Sequence, residues 1–259
     1  MSEENTEIQL PLDTSLGKLP QKEKGSLSPV ECKTMEELRR HQLERLAAGF
    51  RMFSHFGYDE GIAGHITLRD PEFPHYFWVN PFGMHFGQIC ISDLILVDRD
   101  GNIVQGEGKM LNTAAFAIHS RLHEARSDVN AAAHSHSMYG KSFSTLGRLL
   151  EPITQDSCAF YENHVLFDDF TGVVLETDEG DRIAKALGDK KAAILKNHGL
   201  LTTGESVDAA LWAFLSMDRC CQSQLIAESA GQMERIADDV AELTRDQVGS
   251  EFAMWASFQ

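Results

Sequence analysis

The stretch Val129-Asn130-Ala131-Ala132-Ala133-His134-Ser135-His136 decides the reading of this chain, together with Ala192-Ala193-Ile194-Leu195-Lys196-Asn197-His198-Gly199. Each is a short apolar run that ends at histidine. Such runs, bounded by polar or glycine positions, have the pattern of buried strands. Side chains at i and i+2 of a strand point to one face. His134 and His136 can therefore reach a single point. Ligands in open α/β sheets commonly bind at strand ends. His198 follows the second strand, and Gly199 permits a tight turn there. Three imidazoles from two strand ends give a cation three ligands and leave a coordination position open. That is the arrangement of a catalytic site rather than a closed structural one. A lone H-x-H is a weak signal, because surface and core histidines share the spacing. The second strand, ending on His-Gly, strengthens it.

The segments around these strands read as helices. The pattern predicts helices over 113–126, 137–146, 181–187 and 207–229. Strands alternating with helices imply an α/β sheet covered on its faces. Upstream, 66–69 and 76–79 read as strands. Residues 94–97 and 103–104 read as a hairpin, with Asp100-Gly101 as its turn signal. Thr34 and Glu37 have the spacing of a capping box. Leu43, Leu46, Ala47, Phe50 and Phe53 then recur as the apolar stripe of a helix that Gly57 stops. Three units follow. Residues 1–33, punctuated by Pro11, Pro20 and Pro29, form a predicted flexible tail. Residues 34–230 form the main domain. Residues 231–259, ending near Trp255 and Phe258, dock on the body or on a neighbouring subunit.

Bulk properties exclude several classes. The chain has 259 residues, enough to bury a sizeable core, and a formal net charge of -16. That charge repels phosphates, and no Lys/Arg-rich stretch overrides it, so nucleic acid is not an expected partner. No apolar run approaches the roughly 20 residues of a membrane helix. The acidic start, Met1 to Asn5, lacks the apolar segment of a secretory signal. Five cysteines, with no C-x-x-C pair, indicate neither a disulfide framework nor a cysteine zinc site. A cytoplasmic, reducing location is expected. His119 and His123 are four apart on a helix, and packing or hydrogen bonding is the expected role for them.

The ordered series Gly64-His65-Ile66-Thr67, Asn80-Pro81-Phe82-Gly83, Glu107-Gly108-Lys109, His134-Ser135-His136 and Asn197-His198-Gly199-Leu200 resembles the class II aldolase/adducin family, which includes fuculose-phosphate aldolase. The resemblance runs from about Glu36 to Glu228. It implies a three-layer α/β/α domain with a largely antiparallel central sheet, and a homotetramer with active sites near subunit boundaries. It implies a divalent metal, usually Zn2+, on His134, His136 and His198. It places His65, Asn80 and Gly83 at substrate-binding positions.

Several aldolase parts are absent. The Ser-Ser-Glu triplet falls on Thr113-Ala114-Ala115, and alanine cannot move a proton. The phosphate-binding Gly-Asn-x-Ser is replaced by Gly64-His65-Ile66-Thr67. Phe82 and Phe86 add apolar bulk. The aldolase tyrosine falls on or near Asp156. Asp156 and Tyr161, in the polar run Gln155 to His164, become the candidate proton-transfer residues. The expected function is a metal-dependent lyase, of aldolase or decarboxylase type, on a small hydroxy- or oxo-acid or carbonyl compound rather than a sugar phosphate. Two alternatives stay open. One is a non-haem iron oxygenase of an aromatic acid, since three imidazoles accept Fe2+ and Mn2+ as well as Zn2+. The other is a non-catalytic, adducin-like interaction domain.

Overall fold

A computed structural model of the protein describes residues 28–172 and 177–259. Most of the predicted tail, residues 1–27, lies outside the described residues. Helix α1 (Met35–His55) opens where the capping pattern placed it. Thr34 Oγ1 accepts the Glu37 N–H, and the predicted stripe, Leu43, Leu46, Phe50 and Phe53, is buried.

Four strands follow as an antiparallel meander: β1 (His65–Arg69), β2 (Phe77–Val79), β3 (Ile95–Val97) and β4 (Ile103–Gln105). Next come α2 (Thr113–Ala125), β5 (Ala131–Ser135), α3 (Met138–Ser144), α4 (Gln155–Cys158) and β6 (His164–Phe167). The chain continues through α5 (Thr177–Leu187), β7 (Ala192–Leu195), β8 (Gly199–Gly204) and α6 (Val207–Ala230). It ends in α7 (Asp238–Val248) and α8 (Glu251–Ser257).

The eight strands form one sheet in the order β4-β3-β2-β1-β5-β8-β7-β6. Neighbours are antiparallel except β6 and β7, which α5 joins by the crossover that parallel strands require. Alternation along the strands divides the core. Ala131, Ala133, Ile66 and Ile194 pack with α1 and α6. Ala132, Ala193 and Leu201 pack with Ile118 and Leu122 of α2 and Ile183 of α5. This is the expected three-layer arrangement with a largely antiparallel sheet. Among the described residues, no helix is long and apolar enough to cross a membrane. All five cysteines are free thiols.

The sequence reading missed β6, β8, α4, α7 and α8. The region after His198 holds the informative difference. Gly199 does not make the turn. Asn197 makes it, with φ 59°, and Gly199 is already the first residue of β8. At the C-terminus, α8 lies on α6 and buries Met254, while α7 lies on α4.

Asp70 ties α1 to the sheet. Its buried carboxylate accepts hydrogen bonds from Arg39 Nε (2.8 Å), Arg39 Nη2 (2.9 Å), Trp78 Nε1 (2.8 Å), and the N–H groups of Glu72 and Phe73 (2.9 Å each). Burial alone would raise its pKa. The hydrogen bonds from Arg39, Trp78 and the two backbone groups outweigh that and hold it below the usual carboxylate range. A folded pKa below the unfolded one stabilises fully above about pH 4 and is lost as pH falls through the folded value. Asp70→Asn is therefore expected to lower the unfolding free energy by about 2–4 kcal/mol at neutral pH. The variant should also lose less of its remaining stability below about pH 4 than the wild type does. Urea titration across that range checks both, and an unchanged midpoint at pH 7 would contradict the assignment.

Candidate functional site

The middle of the sheet brings the three predicted histidines together. His134 is in β5, His136 lies just beyond its end, and His198 sits in the β7–β8 turn. The β5–β8 pairing opposes Ser135 to Leu200 and His134 to Leu201, which carries the turn beside the end of β5. One ligand atom from each ring lies within 4.8 Å of those of the other two. Ring centroids are 5.2 Å apart for His134 and His136, 4.7 Å for His134 and His198, and 4.8 Å for His136 and His198.

Gly199 makes this approach possible. A Cβ there would stand 2.7 Å from the Ser135 carbonyl oxygen and 3.5 Å from ring atoms of His134 and His136. Its role is close backbone approach rather than a turn.

The donor chemistry suits a divalent cation. His134 Nδ1 is 2.8 Å from the Leu200 carbonyl oxygen. A neutral ring that donates its N–H there keeps the Nε2 lone pair for a metal. All three imidazoles lie below their ordinary pKa. Burial is the main cause, and His198 is pushed down to about 4. The neutral ring is the form that binds metal.

The cluster opens into a cavity of about 750 Å³. Its walls include Ile62, Phe82, Leu111, Ile118 and Phe170. Among the described residues no carboxylate lines it, and Lys141 is the one Lys or Arg side chain there. This is an apolar chamber with a cluster of polar donors at one end, the usual composition of a small-molecule site.

Behind the cluster lies a chain of buried histidines. His65 pairs across the sheet with His134, with ring centroids 5.0 Å apart, and its other side meets His119 at 4.3 Å. Thr67 Oγ1 is 2.6 Å from His119 Nδ1 and 2.9 Å from His123 Nε2. His123 Nδ1 is 3.2 Å from the Val129 carbonyl. Burial pushes His123 down to about 3 and His119 well below its ordinary value, so both rings are neutral. A neutral His123 that donates to Val129 must accept at Nε2 from the Thr67 hydroxyl. Thr67 then accepts from His119 Nδ1–H. His119 Nε2 is left as a bare acceptor without a hydrogen-bond partner among the described residues. The expected hydrogen-bonding role of His119 and His123 takes this form.

Other sequence candidates fall in different places. His65 lines the cavity, but it is buried and both of its ring nitrogens lack partners. Asn80 and Gly83 do not line it. Asn80 is buried, Gly83 is exposed with φ 81°, and Phe82 between them is the residue that reaches the cavity. Phe86 is a core residue stacked edge-on against Phe50. Asp156 and Tyr161 are not brought to the histidines within one chain. They precede β6, whose first residue, His164, pairs with the first residue of β7, while His198 follows the end of β7. They therefore sit at the opposite end of the parallel pair. Asp156 is exposed on the short helix α4, and Tyr161 faces Asp238 of α7. The polar run from Gln155 holds a capped helix and leads into an edge strand. Sequence reasoning missed Lys141 as a lining residue, although it lies one helical turn and a residue beyond His136.

Fold and site together define a class: three-layer α/β/α proteins with a trihistidine cluster in the middle of a largely antiparallel sheet. The chain belongs to the class II aldolase/adducin family, for residues 44–225 match the Class II Aldolase and Adducin N-terminal domain. It is 47% identical to "Decarboxylase NovR" of Streptomyces niveus, over 89% of this chain and 86% of that one. It is also 47% identical to "4-hydroxy-3-prenylphenylpyruvate oxygenase/4-hydroxy-3-prenylbenzoate synthase" of Streptomyces roseochromogenus subsp. oscitans, over 89% and 84%. Among solved structures, "L-fuculose 1-phosphate aldolase from Glaciozyma antarctica PI12" superimposes with a TM-score of 0.84 at 45% identity, covering 89% of this chain and 90% of that one.

Proposed function

We propose that the protein is a metal-dependent enzyme that breaks the bond to the carboxyl carbon of an aryl-substituted α-oxo or α-hydroxy acid. The observation that carries this reading is the cavity: three convergent imidazoles at one end, apolar and aromatic walls, and no carboxylate among the described lining residues. A divalent cation held by His134, His136 and His198 would bind and polarise the oxo or hydroxyl oxygen beside the carboxylate. The electron pair that carbon dioxide leaves on the former α-carbon goes to a proton in the lyase and to dioxygen, as co-substrate, in the oxygenase variant. The chain's own residues do the rest. Phe82, Phe170, Leu111 and Ile62 receive the aryl group and exclude water from it. Loss of carbon dioxide does not begin with a base removing a proton from carbon. Buried Ala115, at the position of the aldolase glutamate, is compatible with that chemistry.

The two relatives at 47% identity carry names in keeping with this reading, one a decarboxylase and one an oxygenase of an arylpyruvate. The second name supports a variant of the reading in which iron and dioxygen take part. The fuculose-phosphate aldolase at 45% identity supplies the contrasting substrate. A sugar phosphate would set hydroxyls against Phe82 and Leu111, and among the described lining residues Lys141 is the one Lys or Arg for its phosphate.

The test combines metal content with turnover. Protein purified without added metal or chelator is assayed for bound metal. It is then given an arylpyruvate, an aryl hydroxyacetate and L-fuculose 1-phosphate, with carbon dioxide release and oxygen uptake followed. Carbon dioxide from an aryl acid is the expected result. Zinc without oxygen uptake indicates the lyase, and iron with oxygen uptake the oxygenase. Turnover confined to the sugar phosphate would overturn the reading.

A further inference from the structure

We propose that Lys141 is the residue that selects an acid as substrate: its ammonium group leaves Glu60 and pairs with the substrate carboxylate. The inference rests on the reading above and names the group that recognises the carboxylate end. The chain is acidic overall, at -16. An anion approaching such a surface is repelled unless a local cation offsets the field. Beside the cation proposed for the three histidines, Lys141 is the one Lys or Arg among the described residues that line the cavity.

Its placement is built rather than incidental. Lys141 follows Gly140 in α3, and the Gly140 N–H donates to the buried carboxylate of Asp218 at 2.8 Å. A Cβ on Gly140 would lie 2.6 Å from the Leu200 side chain, so glycine lets the helix sit directly on β8. The Lys141 N–H donates to the Ser137 carbonyl at 2.9 Å. The backbone of Lys141 is thus fixed against β8, beside the three histidines' strands, while its long side chain reaches out from the helix.

In the structure the ammonium pairs with Glu60, which lies in the segment leading to the cavity residues Ile62, Ala63 and Gly64. The two side chains are 33% and 45% exposed. An exposed ion pair gains little over its hydrated partners, so exchange of Glu60 for an incoming carboxylate is cheap. A carboxylate moved from water into an apolar cavity needs a partner there far more than Glu60 does at the rim. The substrate then lies with its acid end toward Lys141 and the histidines and its aryl end against the apolar wall that includes Phe82 and Leu111.

The test is equilibrium binding of phenylacetate and phenylacetamide, which differ in charge but hardly in shape. Calorimetry is run on the full-length protein as purified and on Lys141→Met, Lys141→Arg and Glu60→Gln, with metal content matched. Wild type is expected to prefer the acid by roughly tenfold or more. Lys141→Met should lose that preference through weaker acid binding, with amide binding unchanged. Lys141→Arg should retain most of it, and Glu60→Gln should bind the acid at least as tightly as wild type. A preference for the acid that survives in Lys141→Met overturns the role of Lys141 and leaves the aryl-acid reading standing. A wild type that binds neither compound overturns both.

Discussion

His134→Ala is expected to leave a folded protein without its metal and with turnover reduced by far more than a hundredfold. Loss of an outer partner of a metal ligand typically costs about 10–100-fold in affinity or activity, and loss of a ligand itself goes beyond that. His134 is one of three nearly equidistant rings, its centroid 5.2 Å from that of His136 and 4.7 Å from that of His198. Its Nδ1 contact with the Leu200 carbonyl fixes its orientation. Alanine fits without strain in β5, which already carries Ala131, Ala132 and Ala133. Circular dichroism should therefore change little, while mass spectrometry finds no metal in the variant. Wild-type metal stoichiometry in His134→Ala would remove the three-histidine centre from consideration.

Gly199→Val should weaken the site without replacing a ligand, and by less than His134→Ala does. The new Cβ would lie 2.7 Å from a backbone oxygen, which cannot rotate out of the way as a side chain can. β8 must move off β5 near Ser135 and Leu200, and with it the turn that holds His198. Metal affinity is expected to fall about 10–100-fold, with a stability loss of about 1–3 kcal/mol from overpacking. Metal titration of the stripped protein beside a thermal melt separates the two effects. Wild-type affinity in this variant would show that the strand spacing does not set the site.

These two residues also mark how far the sequence could be read. His134, His136 and His198 were legible because the argument for them is local: a strand period of two, and two apolar runs ending at histidine. Gly199 was legible as important but not in its role, since a glycine after a strand reads as a turn until the strand beside it is known. The same ambiguity hid β8, which begins at that glycine. β6 was missed because His164–Phe167 is short, sits at the sheet edge and follows a run of polar residues. Asp156 and Tyr161 illustrate another limit. Their position between β5 and β7 in sequence says nothing about which end of the sheet they occupy, and the parallel crossover puts them at the far one. The cavity walls come from segments near residues 62, 82, 111, 141, 170 and 198, which only long-range packing assembles. The spacing of His119 and His123 showed a shared helix face. That this face meets Thr67 depends on how α2 lies on β1.

The pairing of β5 on both edges has a consequence for how the site meets an ion. His134 lies in a strand bonded to β1 and β8, its ring is buried, and one nitrogen is committed to a carbonyl. Such a side chain has little rotational entropy left to lose. The penalty for ordering ligands, which weakens binding at sites built on mobile loops, is largely met when the sheet folds. The position of His134 is then inherited from the strand lattice rather than adjusted to the guest. His136 and His198, half-buried and outside the strands, supply what adjustment the guest needs, so an ion that changes its coordination number during turnover does so around one fixed donor.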